Sequence, residues 1–280
     1  HVDCLFELDV IQTIQTILPS FDANYTDEAL KKHQRDLSNM INPFANNIKN
    51  IIDSLDVAIE KHDQAFLTSD GGVSPLTSNV LLFLIHLFPY QGSFQLITPL
   101  DSFVTKMITA LRNNINTKSN HYSDRVLAQL FLMNNLQFIV TTVKSTKLKG
   151  VFPPDNQLAI EDQIQKSQEE YISITWDTAF AKLNIPDIGE IKEGGLNKKQ
   201  KQIIKTAFKT FIDRVNEIHG KHKKYNTKNT KLMQPILNDT LRKITHKYDK
   251  FWVKWKDSGF SKNPQHYISY QPTTLAQLVT

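Results

Sequence analysis

The sequence predicts an all-α fold. No segment alternates apolar and polar residues with the period of two that a half-buried strand needs. Apolar residues instead recur at helical spacing along nearly the whole chain, and glycine is scarce, with nine residues in 280. Lys, Gln, Asn, Leu and Ile are plentiful, a balance that leans towards helix.

The elements follow in order. Leu5, Leu8, Ile11 and Ile14 form one helical stripe, which Pro19 ends. Thr26 and Asp27 are expected to cap a long polar helix running towards Gln64, with Pro43 kinking or dividing it. Gly71, Gly72 and Pro75 mark a loop, and Leu76 to Tyr90 is a strongly apolar helix. Pro99 starts another helix that reaches about Lys118, and a third runs from about Ser123 to Lys147. After the break at Gly150, Pro153 and Pro154, a helix covers about Asn156 to Leu183.

Residues 185–195 hold Pro186 and three glycines and read as a connector between an acidic helical region, 1–184, and a basic helical bundle, 196–280. In the basic part, Ile204, Phe208, Phe211, Val215 and Ile218 share one face. Leu237, Leu241, Ile244, Tyr248, Phe251 and Trp255 share another. Two antiparallel helices joined by the polar loop 225–230 would bury these faces on each other. Gln271 to Thr280 reads as the start of a final helix that stops short.

Composition bounds the function. The chain is 40% hydrophobic and 22% charged, as folded chains are. Its longest apolar run, Val80 to Phe88, is interrupted by His86 and is too short for a membrane span of about 20 residues. The single cysteine, Cys4, allows neither an internal disulfide nor a cysteine zinc site. With one unremarkable thiol, and no signal peptide read in the residues from His1, the expectation is a cytosolic chain, in which the sequons at Asn24 and Asn238 mean nothing. No phosphate loop, nucleophile elbow or metalloprotease motif occurs, and no pair of carboxylates stands out as acid and base. His219 and His222 share a helix face but lack a third ligand, so they read as solvated histidines. The expectation is no enzyme, no metal and no cofactor.

The charge is unevenly placed. Residues 1–180 hold 13 Lys and Arg against 20 Asp and Glu, a net of −7. Residues 181–280 hold 20 against 8, a net of +12. A basic end points to an anionic partner. Within it, Lys243, Lys247, Lys250 and Lys254 form a stripe beside the second apolar face, and Lys256 and Lys262 lie just beyond. Asp239, Asp249 and Asp257 neutralise this stripe only in part. Lys221, Lys223, Lys224, Lys228 and Lys231 cluster at the preceding loop, which an antiparallel hairpin places at the opposite end. The basic part has 18 lysines and only two arginines. Lysine is a hydrated point charge that suits a diffuse anionic membrane surface, whereas base readout favours arginine. A nucleic-acid-binding helical module is the alternative, and nucleic acid is not the expected partner.

Four stretches carry a family resemblance. They are Leu76-Thr-Ser-Asn-Val-Leu-Leu-Phe-Leu84, Phe131-Leu-Met-Asn-Asn-Leu-Gln-Phe-Ile139, Gln202-Ile-Ile-Lys-Thr-Ala-Phe-Lys-Thr-Phe211 and Lys262-Asn-Pro-Gln-His-Tyr-Ile-Ser-Tyr270. In this order and spacing they resemble the C-terminal part of exocyst complex component seven, the exocyst subunit of about seventy kilodaltons, and the wording around them looks more fungal than animal. The resemblance implies an elongated rod of stacked antiparallel helical bundles without enzymatic activity. It implies a vesicle-tethering subunit, cytoplasmic and peripheral at plasma-membrane sites of polarised secretion. Its partners would be phosphatidylinositol 4,5-bisphosphate, a Rho-type GTPase and other exocyst subunits. Candidate lipid-binding residues are Lys243, Lys247, Lys250, Lys254, Lys256, Lys262 and His266. His266 and Ser269 stand where the family often has lysine, which places lipid contact there in question.

Overall fold

The computed structural model describes residues 2–21 and 28–279 of the chain. Its elements are helical: α1 (Val2–Ile17), α2 (Glu28–Lys61), α3 (Pro75–His86), the short α4 (Gln91–Phe94), α5 (Leu100–Asn120), α6 (Arg125–Ser145), α7 (Pro154–Ile172), α8 (Thr178–Phe180), α9 (Lys198–His222), α10 (Thr230–Lys243), α11 (Asp249–Trp255) and α12 (Pro272–Val279). Among the described residues the β pairing amounts to one bridge between Lys192 and Gly195. The all-α expectation is met. The expected cap at Thr26 and Asp27 lies outside the described residues.

The chain divides into two compact units. The first comprises His1–Leu67, Val73–His121 and Asn135–Gln163. In it α1, with Leu8, Ile11 and Ile14 buried, packs against α2, in which Ile48, Ile52 and Ile59 are buried. The helix α2 runs on through Pro43 without dividing. Pro43 is exposed, so water can satisfy the carbonyl one turn earlier that the missing N–H leaves unpaired. The next long helix, α5, packs on α2 and α3 through Phe103, Val104, Met107, Ile108 and Leu111. Asn114 closes the C-terminal end of α2 by donating to the carbonyls of Glu60 and His62. At the start of α3, buried Asn135 accepts from Ser74 N (2.8 Å) and Thr77 Oγ1 (2.7 Å). Cys4 is fully buried, and burial, with Glu7 near it, pushes its thiol up to about 11.

One helix, α6, is long and apolar enough to cross a membrane by length and composition. Two thirds of its apolar window (67%) is buried, and Asn134, Asn135 and Gln137 are buried along it, as in the core helix of a folded domain.

The second unit comprises Thr68–Gly72, Tyr122–Asn134 and Ile164–Thr280. Asn197 and Gln200 form a reciprocal capping box at the start of α9. The same Gln200 donates from Nε2 to the carbonyls of Ile188 and Glu190. The expected connector, 185–195, therefore runs within this unit, held to α9, and the helices on both of its sides belong to the same core. Phe180, before the connector, sits 5.7 Å from Phe211, after it.

The predicted aromatic core forms. Phe208, Phe211, Tyr248, Phe251 and Trp255 are buried. Phe211 stacks on Tyr248 with centroids 4.7 Å apart, and Phe208 meets Phe251 edge-on at 4.9 Å. Falling numbers on α9 meet rising numbers on the other arm, so the hairpin is antiparallel. The second face departs from the prediction at its start: Leu232, Ile236 and Thr240 are buried, while Leu237 and Leu241 are only half-buried. The cause is a π-helical turn over Ile244–Tyr248, which joins α10 to α11. A π turn holds more residues per turn than an α turn, so it rotates the faces of α10 relative to those of α11. A second π turn, Ser173–Asp177, joins α7 to α8.

Candidate membrane-facing site

The residue types of the lysine stripe are as the sequence reads, but the π turn separates their roles. Lys243 is turned into the bundle: its Nζ lies 2.5 Å from Asp177 and 2.6 Å from Asp239, and its side chain is 16% exposed. Burial alone would lower its pKa, but the hydrogen bonds it donates to Asp177 and Asp239 raise it. Asp239 also accepts from Arg242 at 2.7 Å. Replacing Lys243 by Ala is expected to cost about 2 kcal/mol of stability in denaturant melts, because two carboxylates lose a charged donor. An unchanged midpoint would show that the pairing contributes nothing.

Lys247, Lys250 and Lys254 face solvent, and among the described residues none of them has a carboxylate within ion-pair distance. The Lys254 ammonium lies 4.7 Å from the centre of the Trp255 ring and the Lys256 ammonium 4.4 Å from that of Trp252. Lys256 is also 3.6 Å from Asp257. Lys262 and His266 are exposed on the segment after α11.

That segment folds back on α9. Gly259, at φ +69°, turns the chain in a conformation that side chains disfavour. Phe260 is then fully buried, stacked 5.4 Å from Phe208, and Tyr267 packs edge-on against it at 6.0 Å. The fold-back opens a cleft of about 480 Å³ whose walls carry Lys201 and Lys205 from α9 facing Lys262 and His266. The Lys205 ammonium sits 5.5 Å from the centre of the Tyr267 ring. Among the described residues, Lys201, Lys205 and Lys262 form no ion pair. A cleft with three unneutralised ammonium groups can hold a multiply charged anion such as a phosphorylated headgroup. The sequence pattern alone does not mark Lys201 and Lys205. Their i, i+4 spacing and lack of a nearby carboxylate along the chain are the local signal, but their distance from Lys262 in the sequence hides the association.

The loop cluster lies at the other end of the hairpin. Lys221 is spent on Asp124 at 2.9 Å and Glu217 at 3.7 Å. Burial would raise the Asp124 pKa, but hydrogen bonds from Tyr225 and Lys221 hold it below the usual carboxylate value. Tyr225 is pushed up to about 12 by burial and by Asp124. His222 is not the solvated histidine of the sequence reading. It bonds the Tyr171 hydroxyl and packs edge-on against Trp176, and burial, with His219 adding to it, lowers its pKa to about 4. Among the described residues, no group of three or more His, Cys, Asp or Glu is placed to hold a metal.

Residues 1–280 match, from end to end, the family model for the C-terminal region of the Exo70 component of the exocyst complex. The chain belongs to that family. Among curated Exo70-family proteins it is 26% identical to exocyst complex component EXO70A3 of Arabidopsis thaliana, over 97% of this chain and 48% of that protein. It is 27% identical to human exocyst complex component 7, over 84% of this chain and 34% of that protein. It is 26% identical to exocyst complex component EXO70 of Saccharomyces cerevisiae, over 59% and 26% respectively. The chain thus spans less than half the length of these Exo70 relatives.

Proposed function

We propose that this chain is the non-catalytic C-terminal part of an exocyst subunit that tethers secretory vesicles at the plasma membrane. It holds phosphatidylinositol 4,5-bisphosphate through the lysines at one end of the α9–α11 hairpin and engages a Rho-type GTPase and other exocyst subunits elsewhere. The observation that carries the lipid reading is the convergence of Lys201, Lys205, Lys262 and His266 on one cleft. Lys250 and Lys254 lie exposed on the arm that leads into it. The family names of its relatives support the exocyst reading. In this reading the protein is cytoplasmic and peripheral to the membrane.

Sedimentation with liposomes containing the bisphosphate lipid tests the proposal. Replacing Lys250 and Lys254 together by Ala is expected to weaken binding by about 2 kcal/mol, at about 1 kcal/mol per charge near the surface. Replacing Lys201 and Lys205 together should cost about as much by the same count. Lys243→Ala should leave binding unchanged, since its charge is already paired. Full binding by both folded double variants would sink the assignment. Tighter binding to duplex or single-stranded nucleic acid than to the liposomes, at one salt concentration, would favour a nucleic-acid module instead.

A further inference from the structure

A second cleft, of about 320 Å³, lies at the loop end of the hairpin. Trp176, Met233, Ile236 and Leu237 give it an apolar floor, and Leu278 and Val279 of α12 form one side. Trp176 and Ile236 are buried, whereas Met233, Leu237, Leu278 and Val279 are half-buried and line the cleft. The volume fits one or two large apolar side chains or a small ligand.

The rim is basic. Lys223 lines the cleft beside His219 and Thr227. Lys224, Lys228 and Lys231 follow on the same loop and the first turn of α10, all exposed. Among the described residues none of these four lysines is in an ion pair, and Asp124 and Glu217 at this end pair with Lys221. Like charges held this close repel one another until a partner neutralises them. An apolar socket within an unneutralised lysine cluster matches a ligand with the opposite arrangement, in which a bulky apolar group is flanked by carboxylates. Interfaces of this kind take their affinity from the buried anchor and their selectivity and encounter rate from the charged rim.

We propose that this cleft is a protein-docking site that takes an acidic segment of a partner protein, with one aromatic or large aliphatic residue in the socket and carboxylates over Lys223, Lys224, Lys228 and Lys231. The site is independent of the lipid reading, since the lipid-facing lysines lie at the opposite end of the hairpin.

Two labelled synthetic peptides test it by fluorescence anisotropy with the full chain. Both carry the same acidic residues around one central position, which is Trp in one and Ala in the other. The Trp peptide should bind about tenfold more tightly, as expected of an anchored hot spot. Leu237→Arg, which places a charge at the mouth of the socket, should remove that advantage. Met233→Ala should reduce it without adding a charge, and it decides the matter if the first variant melts early. Lys223→Glu with Lys228→Glu should weaken both peptides. Lys201→Ala with Lys205→Ala should weaken neither, so failure of the lipid reading and failure of this one are told apart. Equal binding of the two peptides would reduce the surface to a non-selective polyanion patch and overturn the proposal. Absence of binding, or displacement of the Trp peptide by phosphoinositide vesicles, would overturn it as well.

Discussion

His222→Gln is expected to remove much of the acid sensitivity of the second unit. In the folded chain the His222 pKa is lowered from 6.5 to about 4, by burial first and by His219 second. Above pH 6.5 the imidazole is neutral in both states and costs nothing. As pH falls from there, the unfolded chain takes up a proton that the folded chain refuses, so stability declines until the folded pKa is reached near 4. At about 1.4 kcal/mol per pH unit the full loss is about 3 kcal/mol. A glutamine cannot titrate, but its amide can still meet the Tyr171 hydroxyl that His222 bonds. Denaturant melts of the variant should therefore lie about 1 kcal/mol below wild type at pH 8, for an imperfectly replaced hydrogen bond. They should cross above wild type by pH 4.5. Parallel pH profiles for the two proteins would show that His222 titrates normally in the fold.

Phe211→Ala is expected to cost about 3–5 kcal/mol. Phe211 is fully buried, stacked on Tyr248 and in contact with Phe180, and so it joins α8, α9 and the π turn before α11 in one core. Alanine leaves a cavity at the crossing of three elements that cannot all close on it. Phe211→Leu, which keeps most of the volume, should cost about 1–2 kcal/mol. A loss under about 1 kcal/mol for the alanine variant would mean that the site collapses freely and that the aromatic face is not a closed core.

The aromatic hairpin was legible because its evidence is local. Phe208 and Phe211, like Tyr248, Phe251 and Trp255, are placed on common faces by the helical repeat alone, and burial follows from their size. The start of the second face does not follow that repeat. Leu237 and Leu241 fit an unbroken 3.6-residue repeat, but the spacing of Leu232, Ile236, Thr240, Ile244 and Tyr248 in steps of four is the slower rotation that a π turn absorbs. The same uniform repeat sets Lys243 in line with Lys247, Lys250 and Lys254, and the π turn takes it out of that line.

The sequence by itself determined that the chain is helical, where most of the helices lie, that the α9 face and the Ile244–Trp255 face enter the core, and which half is basic. Each of these depends on neighbours within a few turns, and helical periodicity records that range. Only the tertiary structure decided which basic groups are free. Beside their local partners Asp239 and Glu217, four residues earlier, Lys243 meets Asp177, 66 positions away, and Lys221 meets Asp124, 97 away. Lys201 and Lys205 are brought to Lys262 and His266 by a fold-back that Phe260 anchors in the core. A charge is available to a partner only when packing has placed no counter-charge beside it. Packing supplies Asp177 and Asp124 through contacts between distant segments, and no local repeat carries that part of the information.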